Sequence, residues 1–386
     1  MRTVTVIGCP GGTAPDVGDA TLVVGAARYL SLVDGPVERL VLGDVSAAVA
    51  RLAAHDGPAV VLASGDPGFF GIVRALRRAG VDVEVRPAPS SVAVAFARLG
   101  LPWDDALVVS AHGRALAPAV HACRAYPKVA VLTGPGAGPA ELGAALRDVP
   151  RRFVVAERLG AADEYLTETT PAQAARRDWR DPNVVLALGV MAPTAAPWIA
   201  GRPPGPDGWA LPDGSFDHRM ITRAEVRALV LARLGPRLGD LVWDVGAGSG
   251  SVAVECARFG AAVVAVEREP AAAATIRANA ARFGVELAVV AESAPECLVE
   301  LPDPDAVFVG GGGLAVLDAC TARRPARLVA AYAAVERVGP ALAALDGTGY
   351  ATEGVQLQAN RLAPLPDGSH RLAATNPVYV VSGVRR

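Results

Sequence analysis

The sequence predicts an α/β chain of two unlike halves, and three observations carry that prediction. Hydrophobic residues make up 52% of the 386 but aromatics only 5%. The interior must therefore be built from Ala, Val and Leu, which suits buried parallel strands between small-residue helices. Short apolar runs alternate with helical patterns along nearly the whole length, which exceeds what one ordinary core holds. Midway, residues 201–214 place four prolines and four glycines in fourteen positions. That composition admits no regular element and marks a linker or surface crossing. The expected domains are 1–200 and 216–386, with 201–215 between them.

In the first half, 4–7, 22–24, 60–63 and 83–85 read as strands, with helical spacing over 71–79 and 91–99. Pro102-Trp103 interrupts the series. A second set follows at 107–110, 129–132, 153–156 and 184–187, so this half is expected as two α/β lobes.

After the linker, Thr222 and Glu225 have capping-box spacing and are expected to open a helix through Val226, Leu229, Val230 and Leu234, stopped by Gly235-Pro236. A strand at 241–245, a helix over 251–259 and a strand ending at Glu267 come next. Pro270 suits the first turn of a helix ending at Gly284. Further strands are expected at 287–290 and 306–309, and the runs 355–357 and 378–381 can close the sheet. This alternation reads as a Rossmann-like parallel sheet.

The most informative stretch is Val242-Trp-Asp-Val-Gly-Ala-Gly-Ser-Gly-Ser251. An apolar strand runs into a turn where Gly246, Gly248 and Gly250 let the backbone fold closely against a ligand. The spacing is G-x-G-x-G rather than the G-x-G-x-x-G of dinucleotide sites, and Asp244 just before it would repel a pyrophosphate. Glu267 stands where a doubly wound sheet places the acid that meets a ribose, about 20 residues beyond the loop. Together these point to an adenosine ligand carrying positive charge, S-adenosylmethionine (SAM), in a class I methyltransferase fold.

Other function classes are disfavoured. The formal charge of −2 gives no global attraction to nucleic acid or an anionic membrane. Asn376-Pro-Val-Tyr379 has a faint likeness to the motif that grips an exocyclic amine, but it lies in the last apolar run and no basic stripe accompanies it. Five widely spaced cysteines and five scattered histidines form neither a disulfide framework nor a metal-ligand pattern. No run approaches 18 apolar residues, and the first residues run straight into a strand. A cytoplasmic protein, assembled as a homo-oligomer and holding no metal, is expected. Among the 37 basic residues only Lys128 is a lysine, a bias read as genomic composition.

The first half also carries an ordered series of motifs: Ala63-Ser-Gly-Asp-Pro-Gly-Phe-Phe-Gly71, Pro89-Ser-Ser91, Leu99-Gly-Leu-Pro-Trp-Asp-Asp105, Val109-Ser-Ala-His-Gly-Arg114, Leu132-Thr-Gly134, Glu157-Arg-Leu-Gly160 and Asp163-Glu164. The series resembles the tetrapyrrole methylases, and within them the precorrin C5-methyltransferase branch of cobalamin synthesis. The second half is similar to the C15-methyltransferase/decarboxylase family of the same pathway. It matches through Ile221-Thr-Arg-Ala-Glu-Val-Arg-Ala228, Trp243 to Ala253, Ala294-Pro-Glu296, Pro304-Asp-Ala-Val-Phe-Val-Gly-Gly311 and Asn376-Pro-Val378. There are departures. The first loop, Gly8-Cys-Pro-Gly-Gly12, is one residue shorter than the usual G-x-G-P-G-G, and Ser293 stands where an acid commonly precedes Ala-Pro-Glu.

The resemblance implies SAM-dependent methylation of a precorrin-6 type tetrapyrrole at carbons 5 and 15, with decarboxylation of an acetate arm. It implies a donor site in each half. Gly65, Asp66, Pro67, Ser90 and Ser91 would contact SAM in the first. In the second, Gly246, Ala247, Gly248, Ser249 and Gly250 would hold the methionine portion, Glu267 the ribose and Ala294 the adenine edge, with Asp244 also at the donor and Thr222 as cap or contact. Arg114, Arg219 and Arg223 flank these motifs and are candidates for the substrate's carboxylates. No catalytic dyad is identified, because electron-rich bridging carbons supply their own nucleophilicity and in-line positioning does the rest. A narrower reading keeps C15 methylation and decarboxylation only, with the first half weak or a scaffold. A non-catalytic SAM sensor is the binding-module alternative.

Overall fold

Three apolar segments near the start of the chain, within Thr3–Cys9, Leu22–Gly25 and Ala59–Ser64, bury their faces by pairing side by side, which also satisfies their backbone groups. The computed structural model describes residues 3–10, 15–189, 199–201, 205–218 and 220–386. These pack as two units, Met1–Leu116 with Pro127–Pro203 and Ala117–Tyr126 with Pro204–Arg386.

In the first unit, β1 (Thr3–Cys9), β2 (Leu22–Gly25), β3 (Glu38–Val41), β4 (Ala59–Ser64) and β5 (Asp82–Arg86) form a sheet in the order β3-β2-β4-β1-β5. Every pair is parallel. Val4, Val6, Leu22, Val24, Val61 and Leu76 are buried in its core. Beyond Pro102-Trp103, β6 (Leu107–Ser110), β7 (Lys128–Leu132), β8 (Arg152–Glu157), β9 (Tyr165–Thr169) and β10 (Asn183–Leu188) form a second sheet, β6-β7-β10-β8-β9. Its centre, β10, is buried along its whole length and runs antiparallel to both neighbours. Lys128 is buried at the start of β7, with Nζ 2.5 Å from Asp105 Oδ1.

In the second unit, nine strands follow among the described residues: β11 (Leu241–Val245), β12 (Ala262–Val266), β13 (Ala288–Val290), β14 (Ala306–Val309), β15 (Arg327–Tyr332), β16 (Tyr350–Leu357), β17 (Arg361–Pro364), β18 (His370–Ala373) and β19 (Val378–Arg385). Seven make one sheet in the order β13-β12-β11-β14-β15-β19-β16, and β17 with β18 makes a separate hairpin. The strands from β13 to β15 are parallel, and β19 is antiparallel to β15 and β16. Trp243, Val264, Val307 and Leu328 pack on one face, and Val242, Val263, Phe308 and Val329 on the other. Strand order reverses between β11 and β14, which puts the ligand crevice at their carboxyl ends. No helix among the described residues is long and apolar enough to cross a membrane.

Two local expectations change. The proline- and glycine-rich stretch ends as an anchored crossing: Ala210 and Leu211 N–H donate to Glu255 at 2.6 and 3.0 Å, and a 3-10 turn forms at Asp213–Ser215. The capping box at Thr222 does not form. The helix is Ala224–Leu234 with Arg223 at its N-cap, and the Ala224 N–H is taken by Asp213 Oδ1 at 2.8 Å. A carboxylate delivered from the 3-10 turn suits a helix N-terminus better than a neutral hydroxyl, because it also meets the helix dipole.

Candidate functional site

At the carboxyl end of β11 the chain turns through Gly246, Gly248 and Gly250, with φ of 75°, 57° and 72°. These left-handed conformations favour glycine. Space excludes side chains too, since a Cβ on Gly246 would stand 2.8 Å from Gly311 N and one on Gly250 2.8 Å from Ile276 Cγ2. Gly246 and Ala247 both donate to Val266 O at the end of β12, at 2.9 and 3.1 Å. The turn is thereby tied to the strand that delivers Glu267. The Glu267 carboxylate accepts the Gly248 N–H at 2.8 Å with Oε2 and the Glu269 N–H at 3.0 Å with Oε1.

Asp244 is buried beneath this turn. Its Oδ2 accepts the Ala253 N–H at 2.9 Å, in the first turn of helix Ser251–Arg258, while Oδ1 has no hydrogen-bond partner among the described residues. Burial pushes its carboxyl up to about 7, against the pull of the Ala253 N–H and with a smaller push from Glu267. Ser249 is also buried, and its Oγ likewise has no partner among the described residues. A turn with no room for a Cβ at Gly246 and Gly250, two unpaired buried oxygens and no cation in the loop fit an adenosyl sulfonium with its ammonium group. They suit a pyrophosphate poorly.

The remaining expected residues lie around this cradle to different degrees. Ala294 is half-buried beyond β13 and packs against the core that holds Trp243. Thr222 presents its carbonyl to Arg227. The Met220 carbonyl oxygen lies 3.5 Å from where a Cβ on Gly248 would be. Arg223 is 59% exposed, with Nη1 3.6 Å from Asp213. Arg219 lies outside the described residues.

Sequence reasoning gave no role to three features here, although Gly310 and Gly311 end one of the stretches quoted above. Residues 310–313 are four consecutive glycines at the end of β14, and a Cβ on Gly310 would meet Gly246 O at 2.9 Å. The run itself was the signal. It also occupies the place, after the fourth strand, where an exocyclic-amine motif would stand, whereas Asn376 lies just before β19. Asn279 hydrogen-bonds Ser249 O from helix Pro270–Arg282. Tyr332, ending β15, has a buried hydroxyl without a partner among the described residues. Burial raises its pKa, with Arg337 pulling the other way.

In the first unit the loops after β1, β4 and β5 converge. Gly65, at φ 63°, donates to Cys9 O at 3.0 Å, and a Cβ on it would be 3.2 Å from Ser91 N. Asp66 accepts the Gly68 N–H at 2.7 Å, and a Cβ on Gly71 would strike Pro67 O at 2.2 Å, so the loop is a tight, self-bonded turn. Ser90 caps helix Ser91–Leu99 by accepting the Ala93 N–H. Gly65, Ser90 and Ser91 are thus brought together, with Asp66 and Pro67 beside them. The Arg114 guanidinium lies 5.7 Å over the Phe70 ring. Phe69, Phe70 and Trp103 line a cavity of about 680 Å³ nearby. Of the expected loop 8–12, residues 11 and 12 lie outside the described residues. Burial pushes the Cys9 thiol up to about 11 although Arg28 opposes it, which leaves it a poor nucleophile.

Known proteins match both halves. The precorrin methyltransferase domain family matches residues 215–382, and the tetrapyrrole (corrin/porphyrin) methylases match 17–175. A Sinorhizobium protein named precorrin-6Y C(5,15)-methyltransferase [decarboxylating] is 40% identical over 314 residues, 77% of this chain and 73% of its own. A Mycobacterium tuberculosis (strain CDC 1551 / Oshkosh) protein of the same name is 36% identical over 334 residues, 82% of each chain. A Pyrobaculum calidifontis protein named "Probable cobalt-precorrin-6B C(15)-methyltransferase (decarboxylating)" is 35% identical over 189 residues, 45% of this chain and 94% of its own.

Proposed function

Because the chain belongs to the precorrin-6Y C(5,15)-methyltransferase (decarboxylating) family, we propose that it methylates a precorrin-6 type tetrapyrrole at carbons 5 and 15 and releases the carboxyl of an acetate arm, in cobalamin biosynthesis. The observation that carries this reading is a relative at 40% identity whose match runs across both halves of the chain. The methyl donor is SAM.

We assign the donor two sites. In the second unit the methionine portion lies on Gly246, Ala247, Gly248, Ser249 and Gly250 over Asp244, with Glu267 at the ribose, Ala294 at the adenine and Thr222 at the rim. The glycine cradle and the unpaired oxygens support that assignment. In the first unit the site is Gly65, Asp66, Pro67, Ser90 and Ser91, supported by the close approach of Gly65 to Ser91. Boundaries at 1–200 and 216–386 belong to the same proposal.

The chain's part in the chemistry is positional. SAM supplies an electrophilic methyl carbon, and the protein must hold it in line with an electron-rich ring carbon. Methylation next to the acetate arm leaves a cationic ring that can take the electrons of the departing carboxylate, so the protein need only orient the arm and exclude water. Arg114, Arg219 and Arg223 are the proposed carboxylate contacts, and the placement of Arg114 over Phe70 beside an aromatic cavity supports the first. A cytoplasmic homo-oligomer completes the reading. None of the five cysteines is in a disulfide, and the hairpin residues Leu362 and Leu372 are 69% and 63% exposed.

One observation favours the narrower reading, in which the first unit is a scaffold: the family match there begins at residue 17, after β1 and its shortened loop. Mass spectrometry of the product separates the two. Two added methyls with loss of one carbon dioxide support the full activity, one added methyl with that loss the narrower one, and an unchanged tetrapyrrole overturns both.

A further inference from the structure

Asn279 has no place in the reading above, yet it is a fully buried polar side chain beside the glycine turn. It lies on helix Pro270–Arg282, which also places Ile276 against Gly250. All three of its hydrogen bonds go to main chain. Nδ2 donates to Ser249 O at 2.9 Å and to Asp217 O at 2.9 Å, and Oδ1 accepts the Asp217 N–H at 2.9 Å.

This arrangement demands an amide. It needs two donors and one acceptor on a short side chain. Burial of such a group is costly unless every atom is paired, and a leucine would fill the same volume more cheaply. What only the amide provides is a fixed link between two stretches. One is the turn at 246–250. The other is the stretch containing Phe216 and Asp217, whose buried Phe216 packs with Val254 and Ala280. That stretch leads to Met220, whose carbonyl borders Gly248.

We infer that Asn279 is a positioning residue for the methyl donor of the second unit. It holds Ser249 and Asp217 in register, so that the turn and the stretch beside it present a preformed surface to SAM. The inference rests on the reading that 246–250 holds the donor. It differs from simple core filling because it couples donor affinity to a side chain that touches no donor.

The test uses the full chain and follows C15 methylation as SAM is varied. Asn279→Asp keeps the volume but sets a carboxylate against two carbonyl oxygens. Asn279→Leu removes the bonds without adding charge. Both are expected to raise the KM for SAM roughly tenfold or more while kcat at saturating SAM falls less than about threefold. In the wild type, adding SAM should slow hydrogen exchange at the Asp217 amide, a readout that needs no variant. An unchanged KM in whichever variant folds, or a Tm loss with unchanged KM, overturns the inference, as does an Asp217 amide indifferent to SAM. Glu267→Ala serves as the reference. If it too leaves KM unchanged, the donor site itself is misplaced. If it raises KM while the Asn279 variants do not, only the role of Asn279 fails.

Discussion

Glu267 reaches back 19 residues to accept the main-chain N–H of Gly248 at 2.8 Å, while its other oxygen takes the Glu269 N–H at 3.0 Å. One carboxylate therefore braces the glycine turn and the start of the next helix together. A bond to an ionised acceptor contributes about 1.5–3 kcal/mol, which corresponds to roughly 10- to 150-fold in affinity. Glu267→Ala is expected to raise the KM for SAM in C15 methylation by that order. Glu267→Gln, which keeps one acceptor oxygen, should lie between. Initial rates against SAM concentration measure this, and a wild-type KM in Glu267→Ala would refute the assignment of the acid.

Asp244 gives the second unit a pH dependence whose sign is determined. Burial holds its carboxyl at about 7 against an ordinary 3.8, so the fold favours the neutral acid. The stability it contributes is complete below the unfolded value and is lost as pH rises through about 7. A bound cation favours the carboxylate instead, so SAM should bind more tightly as pH rises over the same window. Thermal unfolding and SAM titration of wild type and Asp244→Asn between about pH 5 and 8 test both signs. The variant should lose both slopes, and a wild type whose Tm rises across this window relative to the variant would contradict the argument.

Arg227 and Glu255 form a fully buried pair, Nε to Oε1 at 2.6 Å. Glu255 also receives the Ala210 and Leu211 N–H groups, and Arg227 donates to the carbonyls of Thr222 and Leu211. The pair thus anchors the crossing segment to the helices flanking the glycine turn. Removing Glu255 leaves the buried Arg227 with Asp213, 3.7 Å away, as its remaining carboxylate, and breaking such a buried pair costs about 3–5 kcal/mol. Glu255→Leu alone should lower the urea midpoint of the second unit more than the double change Arg227→Met, Glu255→Leu. Equal midpoints for the single and double variants would mean that the buried charge is not the dominant cost.

What was legible follows from how local each signal is. The run into Gly246 was readable because a buried strand and a turn of positive φ are each written in adjacent residues. The centre strands β4, β10 and β14 were readable as unbroken apolar runs. β3, Glu-Arg-Leu-Val, and β9, Tyr-Leu-Thr-Glu-Thr, were not, because both are edge strands of exposed and half-buried residues that look like loop until a neighbour pairs with them. β15 was missed although Pro325 precedes it, because its apolar run continues through Ala333-Ala334-Val335 and periodicity alone does not tell such a run from a buried helix. The partner of the Ala224 N–H, Asp213, comes from 11 residues earlier and no local spacing announces it. Nothing local singles out Asn279, because its three bonds depend on a turn 30 residues away and on Asp217.

Gly8 offers the sharpest test of the first unit. It does not need glycine for a positive φ but for room. A Cβ there would lie 2.6 Å from Gly65 O, 2.7 Å from Ala88 N and 2.8 Å from Ala88 Cβ. Two of these atoms are backbone, so the end of β1 must separate from the loops after β4 and β5. The Gly65 N–H bond to Cys9 O, 3.0 Å long, goes with it, and Gly65 loses its place beside Ser91. The side chain added is only a methyl, so the effect should be local rather than global. Gly8→Ala is expected to cut C5 methylation at least about tenfold through this displacement. On substrate already methylated at carbon 5, C15 methylation and carbon dioxide release should stay at the wild-type rate. Mass spectrometry of timed reactions reads both. A variant that still adds the C5 methyl at full rate would show that these loops do not form a donor site, and a wild type that never adds it would leave the first unit as a scaffold.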